Sequence, residues 1–235
     1  RKLGIELMQN TNTNSGISIQ VSLSGYSFKV EGESSRGSAD WIPGSDIFTT
    51  PEFQRRYDFV RISLLTPKCT LVPEQFFDKK EAGRMLADVV RTGENDIVED
   101  IRIERLGAVL IFSNSIGESL SRAISQTVLT VDGFKARILP EMYYILETLS
   151  ECTEYNKIVA SWADGYLHLA IGQGRNLMLA NIFKAPDFTT AEYFIFNAMK
   201  KLQLNPEMST ITFRTPLSEA EEMSLYRYFR AVDKI

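Results

Sequence analysis

The residues of this chain that can do chemistry sit on two tight turns. Asp164-Gly165 joins one pair of alternating apolar runs, and Ser24-Gly25 joins another pair far upstream. A carboxylate on such a turn can hold a metal ion or a phosphate-bound cation. The glycine beside it lets backbone N–H groups approach a phosphate closely. Ser24, Gly25, Asp164 and Gly165 are therefore the candidate cofactor-binding residues. The same residues have a structural use: Asp-Gly is a preferred central pair of a primed hairpin turn, whose two middle residues need positive φ. Gly172-Gln173-Gly174-Arg175 has the composition of a phosphate loop. It joins two strands rather than opening a helix, so it lacks the helix N-terminus that binds anions, and a turn is expected. His168 is the single histidine. It alternates with Leu167 and Leu169, which places it on the less packed face of its strand, with no Ser or Cys beside it in sequence to form a catalytic pair. No catalytic residue is assigned. Two cysteines, Cys69 and Cys152, no CxxC and one histidine leave no Cys/His zinc set, so no metal site is expected.

Composition narrows the function classes. The 235 residues are 44% hydrophobic and 24% charged, ordinary values for a globular chain. A net charge of -4 lacks the basic footprint of a nucleic-acid binder. No run of about 18 apolar residues is present to span a membrane. No signal-peptide pattern opens the chain, and a start on Arg1 implies that the natural N-terminus lies upstream. Two thiols in apolar contexts suit a reducing cytoplasm.

The elements that must position the turns follow from periodicity and capping. Residues 9–15 read as a polar lead-in. Ile17, Ile19, Val21 and Leu23 alternate with polar residues, and Tyr26, Phe28 and Val30 continue beyond the turn. Residues 32–46 read as a long Gly/Ser/Pro loop anchored by Trp41 and Ile42. Thr50 to Tyr57 predicts a short helix with Pro51 first. Strands follow at Phe59 to Leu65, Cys69 to Val72, Glu99 to Glu104, Ala108 to Phe112 and Phe134 to Ile138. Helices are expected at Asp78 to Val90, from a Ser115 cap, and from Pro140 to Leu149. In the last of these, Met142, Ile145, Leu146 and Leu149 form the buried face. The second half reads strand, strand, strand, helix, strand, helix. Ile158, Ala160 and Trp162 share a face, then Leu167, Leu169 and Ile171, then Leu177, Leu179 and Phe183. Thr189 with Glu192, and Ser218 with Glu221, read as capping boxes. Met208 to Phe213 is the strand between those helices.

Both halves open on a hairpin and continue in alternating helices and strands, which predicts an α/β fold of two related subdomains with mixed sheets, 1–153 and 154–235. This layout resembles the actin-like ATPase (ribonuclease H-like) fold of actin, the 70-kDa heat-shock chaperones and sugar kinases. More narrowly, the chain resembles a Bacteroidetes family described only as domain of unknown function 3822. The residues that carry the likeness are ISIQVSLSGYSFKV (17–30), KCTLVPEQFFD (68–78), VLIFSNS (109–115) and 166–206, including GRNLMLANIF and LQLNP. The resemblance implies a further strand beyond Ile235.

Working members of that superfamily carry D-x-G in each opening hairpin. Here Leu23-Ser24-Gly25 has leucine in the carboxylate position. In Ala163-Asp164-Gly165 the acid is shifted by one residue, which in a strand turns it to the other face. The adenosine-side Gly-Gly is replaced by Thr-Phe-Arg-Thr-Pro at 212–216. No cofactor is expected. The expected function is a non-catalytic, cytoplasmic protein-interaction module on a degenerate actin-like scaffold. It would dock an unknown protein partner, neither nucleic acid nor membrane, through the cleft or through an aromatic helix face at Tyr193 to Phe196. The alternative is an ATP/Mg-binding or ATP-hydrolysing protein with atypical ligands at Ser24, Gly25, Asp164 and Gly165. A sugar-kinase-like site lacks a recognisable base.

Overall fold

The computed structural model describes residues 15–32, 36–115 and 118–235. Most of the polar lead-in at 9–15, and residues 116–117 behind the expected Ser115 cap, lie outside the described residues.

The first sheet begins with the hairpin β1 (Gly16–Val21) and β2 (Gly25–Glu31), followed by the two-residue strands β3 (Arg36–Gly37) and β4 (Ile42–Pro43). β5 (Phe59–Leu64) lies parallel to β1. Then β6 (Cys69–Pro73), α1 (Ala82–Ala87), β7 (Val98–Ile103) and β8 (Ala108–Ser113) form a separate antiparallel sheet in the order β6-β8-β7. α2 (Glu118–Thr127) leads to β9 (Ile138–Pro140), which completes the first sheet as β3-β2-β1-β5-β9, with β4 also on β2. α3 (Glu141–Glu151) crosses to the second half. There β10 (Asn156–Ala163), β11 (Tyr166–Gln173), β12 (Asn176–Lys184), α4 (Phe188–Lys201), β13 (Thr210–Phe213), α5 (Glu219–Tyr226) and β14 (Ala231–Lys234) give the order β12-β11-β10-β13-β14. The two larger sheets share one topology: an antiparallel hairpin whose first strand is continued by two parallel strands.

Alternation sorts the side chains onto faces. Ile17, Ile19, Val21, Ile62 and Leu64 pack in one cluster with Ile124 of α2 and with Ile47 and Phe53 of two short 3-10 turns. Every residue of β8 is buried. Val109 and Ile111 meet Ala82 and Leu86 of α1, while Leu110 and Phe112 meet α3, which explains its unbroken apolar run. Met142, Ile145, Leu146 and Leu149 of α3 also touch Val159 and Ala170 of the second sheet. Each such side chain contributes about 1.5–3 kcal/mol when removed from water, so packing rather than propensity holds α3 in place. The opposite face of the second sheet packs on Ala191, Ile195 and Met199 of α4.

Several expectations are corrected. The 32–46 stretch contains β3 and β4, because Tyr26 and Gly25 of β2 pair with Ile42 and Pro43. The 78–90 helix is shorter: Asp78 caps a 3-10 turn by accepting from Lys80 N at 2.9 Å, α1 ends at Ala87, and Val89 is exposed. The strand expected at 134–138 begins only at Ile138, and Phe134 is exposed. The cap of α4 is Asp187, which accepts from Thr190 N at 2.7 Å, rather than Thr189. A bulge opposite Ile171 and Gly172 turns Leu177 toward α3, away from Leu179 and Phe183. The strand expected from Met208 begins at Thr210, because Met208 ends a 3-10 turn, Pro206–Met208. Ala231–Lys234, where periodicity predicted no strand, pairs parallel with β13.

Candidate functional site

The two opening turns meet. Asp164 and Gly165 have φ of 53° and 76°, as a primed two-residue turn requires, and the turn projects the Asp164 carboxylate toward the β1–β2 hairpin. Leu23 N donates to Asp164 Oδ2 at 2.6 Å, and Ser24 Oγ donates to Oδ1 at 3.4 Å. Ser24 Oγ also lies 2.9 Å from Ser22 Oγ. Gly25 is needed for packing: a Cβ there would lie 2.1 Å from the carbonyl oxygen of Ile42 in β4. Leu23, which stands where the superfamily has its acid, is exposed. Structure therefore brings Ser24, Gly25, Asp164 and Gly165 together, as a contact between hairpins.

That geometry does not fit a magnesium nucleotide held as the superfamily holds it. The Leu23 N–H group is engaged by a carboxylate of the same chain and is not free to receive a phosphate oxygen. Where the resemblance implies a Gly-Gly after the penultimate strand, this chain has Arg214, Thr215 and Pro216. Among the described residues no cluster of His, Cys, Asp or Glu has metal-binding geometry.

None of the four turn residues lines the main cleft, a space of about 880 Å³ between the first sheet and the β13–β14 end of the second. Its walls include Gln20, Arg61, Ser63, Tyr144, Arg214 and Thr215.

Beneath it lies a group that sequence reasoning missed. Glu141, first residue of α3, is fully buried. It accepts from Gln20 Nε2 of β1 at 2.9 Å, from Ser161 Oγ of β10 at 2.7 Å and from Ser63 Oγ of β5. Arg214 Nε, just past β13, completes the set with an ion pair at 2.8 Å. One carboxylate thus joins the central strands of both large sheets. Burial alone would raise its pKa, but Arg214 and the Ser63 and Ser161 hydroxyls hold it below the ordinary carboxylate value. Arg214 is held in turn by Thr148 Oγ1 at 2.8 Å and lies 5.7 Å from the Tyr144 ring centroid.

His168 departs from expectation. The face away from Leu167 and Leu169 is also packed, so the ring is fully buried. Neither nitrogen has a hydrogen-bond partner among the described residues. Burial lowers its pKa from 6.5 to about 4, against the attraction of Glu141. A neutral ring with no nucleophile bonded to it is a core residue.

Gly174-Arg175 forms the β11–β12 turn, as expected from its position between strands. Cys69 and Cys152 are both free, and burial pushes the Cys69 thiol up to about 12.

Two mixed sheets of shared topology, each opened by a hairpin and joined through one central helix, define the actin-like ATPase fold, of the ribonuclease H-like kind. Within it the chain belongs to the family described as Protein of unknown function (DUF3822), whose model matches residues 45–232. Among solved structures it is similar to a Bacteroides thetaiotaomicron VPI-5482 protein with an actin-like ATPase fold and unknown function. That pair shares 17% identity with a TM-score of 0.63, over 95% of this chain and 91% of the other. Lower similarity extends to the cytoplasmic domain of EpsL, an inner-membrane component of the type II secretion system of Vibrio cholerae, at 13% identity and TM-score 0.48 over 87% and 84% of the two chains. A PilM-PilN type IV pilus biogenesis complex matches at 10% identity and TM-score 0.49, over 94% and 88%. No curated protein matches the sequence.

Proposed function

We propose that this protein is a non-catalytic, cytoplasmic scaffold that binds a protein partner in the cleft between its two large sheets. The observation that carries the reading is the Leu23–Asp164 hydrogen bond, which closes the hairpins on each other where a nucleotide's phosphates would have to enter. The cleft walls offer mixed chemistry suited to a peptide segment: Tyr144, the guanidinium groups of Arg61 and Arg214, and the hydroxyls of Ser63 and Thr215. Free thiols at Cys69 and Cys152 fit a reducing compartment. Among the described residues no helix is long and apolar enough to cross a membrane.

Thermal unfolding with magnesium and millimolar ATP or ADP tests the proposal, because a ligand of the folded state must raise the Tm. No shift is expected. A shift abolished by Asp164→Ala would replace the scaffold with a nucleotide-binding protein. Co-purification from the native cell should return a protein partner that Arg61→Glu, altering a half-exposed cleft wall, fails to retain.

A further inference from the structure

We propose that β12 is a self-association edge, pairing antiparallel with β12 of a second copy of this chain to continue the sheet across a two-fold axis. The backbone pattern identifies which groups are free to do so. Ala185 N donates to Gly165 O at 2.7 Å, which sets the phase of the β11–β12 ladder. Hydrogen-bonded pairs then fall at Leu167–Phe183, Leu169–Asn181 and Ile171–Leu179. The alternate residues of β12, Ala180, Ile182 and Lys184, therefore turn their N–H and C=O groups away from β11, toward the open edge.

The other edges of the two large sheets are blunted, and among the described residues nothing pairs with or covers this one. On the first sheet, β3 and β9 have two and three residues. On the second, β14 has four, includes Asp233 and Lys234, and has Tyr226 Oη of α5 donating to Val232 O at 3.2 Å. β12 has nine residues, NLMLANIFK, with no proline and one charge, at its end. Long, neutral, unprotected edges are the ones that pair with other strands.

Charge and register favour a second copy as the occupant. Centring the two-fold on Ile182 sets Ile182 against its own symmetry mate and Ala180 against Lys184. Each of these three pairs exchanges two backbone hydrogen bonds. The lone lysine then never faces a lysine, and its aliphatic stem lies over an alanine. Apolar surface lies beside the edge: Phe183 stacks on Phe194 at 4.7 Å, and Phe194 packs at 5.5 Å against Tyr193, which is 62% exposed. No β12 residue lines the cleft, so pairing here is independent of what the cleft binds.

Light scattering behind size exclusion, over a concentration series reaching about 100 µM, tests the pairing at a strength expected of a modest interface. The wild type should shift to a dimer. Ala180→Pro removes one outward N–H and leaves the β11 ladder intact, and should be monomeric with an unchanged circular dichroism spectrum. Should that variant fail to fold, a charge comparison decides. Ala180→Lys places like charges opposite Lys184 and should weaken the dimer at least about tenfold relative to Ala180→Glu, which creates two cross-strand ion pairs. A wild type that stays monomeric throughout, a dimeric Ala180→Pro, or equal dimerisation of the lysine and glutamate variants overturns the proposal.

Discussion

The backbone N–H of Leu23 donates to the carboxylate of Asp164 across 2.6 Å, so each opening hairpin ends on the other. The bond depends on two local features. Asp164 adopts a left-handed φ of 53°, which aspartate and asparagine tolerate better than alanine, and Leu23 leaves the β1–β2 turn with its N–H pointing outward. Asp164→Ala loses both the acceptor and the turn preference and should cost roughly 2–3 kcal/mol. Asp164→Asn keeps the turn and a neutral acceptor and should cost about half as much. Urea unfolding midpoints measure both. Equal losses would mean that the carboxylate charge carries the whole effect and the turn preference none.

Glu141 makes a sharper demand. Removing one member of a buried, hydrogen-bonded ion pair strands the other, at about 3–5 kcal/mol. Glu141→Ala should therefore be among the most destabilising single changes in the chain, leaving Arg214, Gln20 and two serines without their shared acceptor. Glu141→Ala with Arg214→Met should lose less than the sum of the two single variants, because the second change removes the stranded charge. Strict additivity in a double-mutant cycle would refute the coupling drawn between these residues.

Why Glu141 escapes a reading of the sequence is physical. Its partners lie 121, 78, 20 and 73 positions away, at Gln20, Ser63, Ser161 and Arg214. Locally it is an acid after a proline at a helix start, indistinguishable from a residue that merely complements the helix dipole. What was legible was local. The capping box of Ser218 and Glu221, the Asp164-Gly165 turn and the alternation of Ile17, Ile19 and Val21 each depend on neighbours a few residues away. The capping of α4 shows the limit of that reading. Asp187 and Thr189 are both good caps, and only the extended backbone of Asp187, with φ -139° and ψ 164°, decides between them. Both stretches are legible as hairpin turns. That they bind each other could not be read, because nothing in either hairpin specifies the distance between them.

Asp96 anchors the segment before β7. It accepts from Lys68 Nζ at 2.6 Å, Gly93 N at 2.7 Å and Ser113 Oγ at 2.8 Å. Burial opposes its charge, but these donors and the Lys68 ammonium outweigh it and hold the pKa at about 2, below the ordinary 3.8. A depressed carboxylate stabilises fully above its unfolded value, and that stability is lost as pH falls through its folded one. Unfolding midpoints between pH 4 and pH 2 should therefore fall in the wild type. Asp96→Asn should be less stable at pH 5 and approach the wild type near pH 2. A constant difference between the two across that range would rule out this carboxylate as a source of acid sensitivity.

His168 acts at a higher pH. Its ring is fully buried, and the charged group facing it is Glu141, whose attraction is too weak to offset desolvation; the folded pKa is about 4 against the ordinary 6.5. Between these values the unfolded chain takes up a proton that the folded chain refuses, so stability falls as pH drops from 6.5 toward 4. Across the whole interval the loss is roughly 3 kcal/mol. The sequence contains one histidine, so a single imidazole resonance reports the group directly. His168→Leu places an apolar side chain where neither nitrogen had a partner, and should be more stable than the wild type at pH 5 and flatter in its pH dependence. An imidazole that titrates near 6.5 in the folded protein, or a leucine variant that keeps the same slope, would show that water or a polar group reaches this ring and that the core beside Glu141 is wetter than its packing implies.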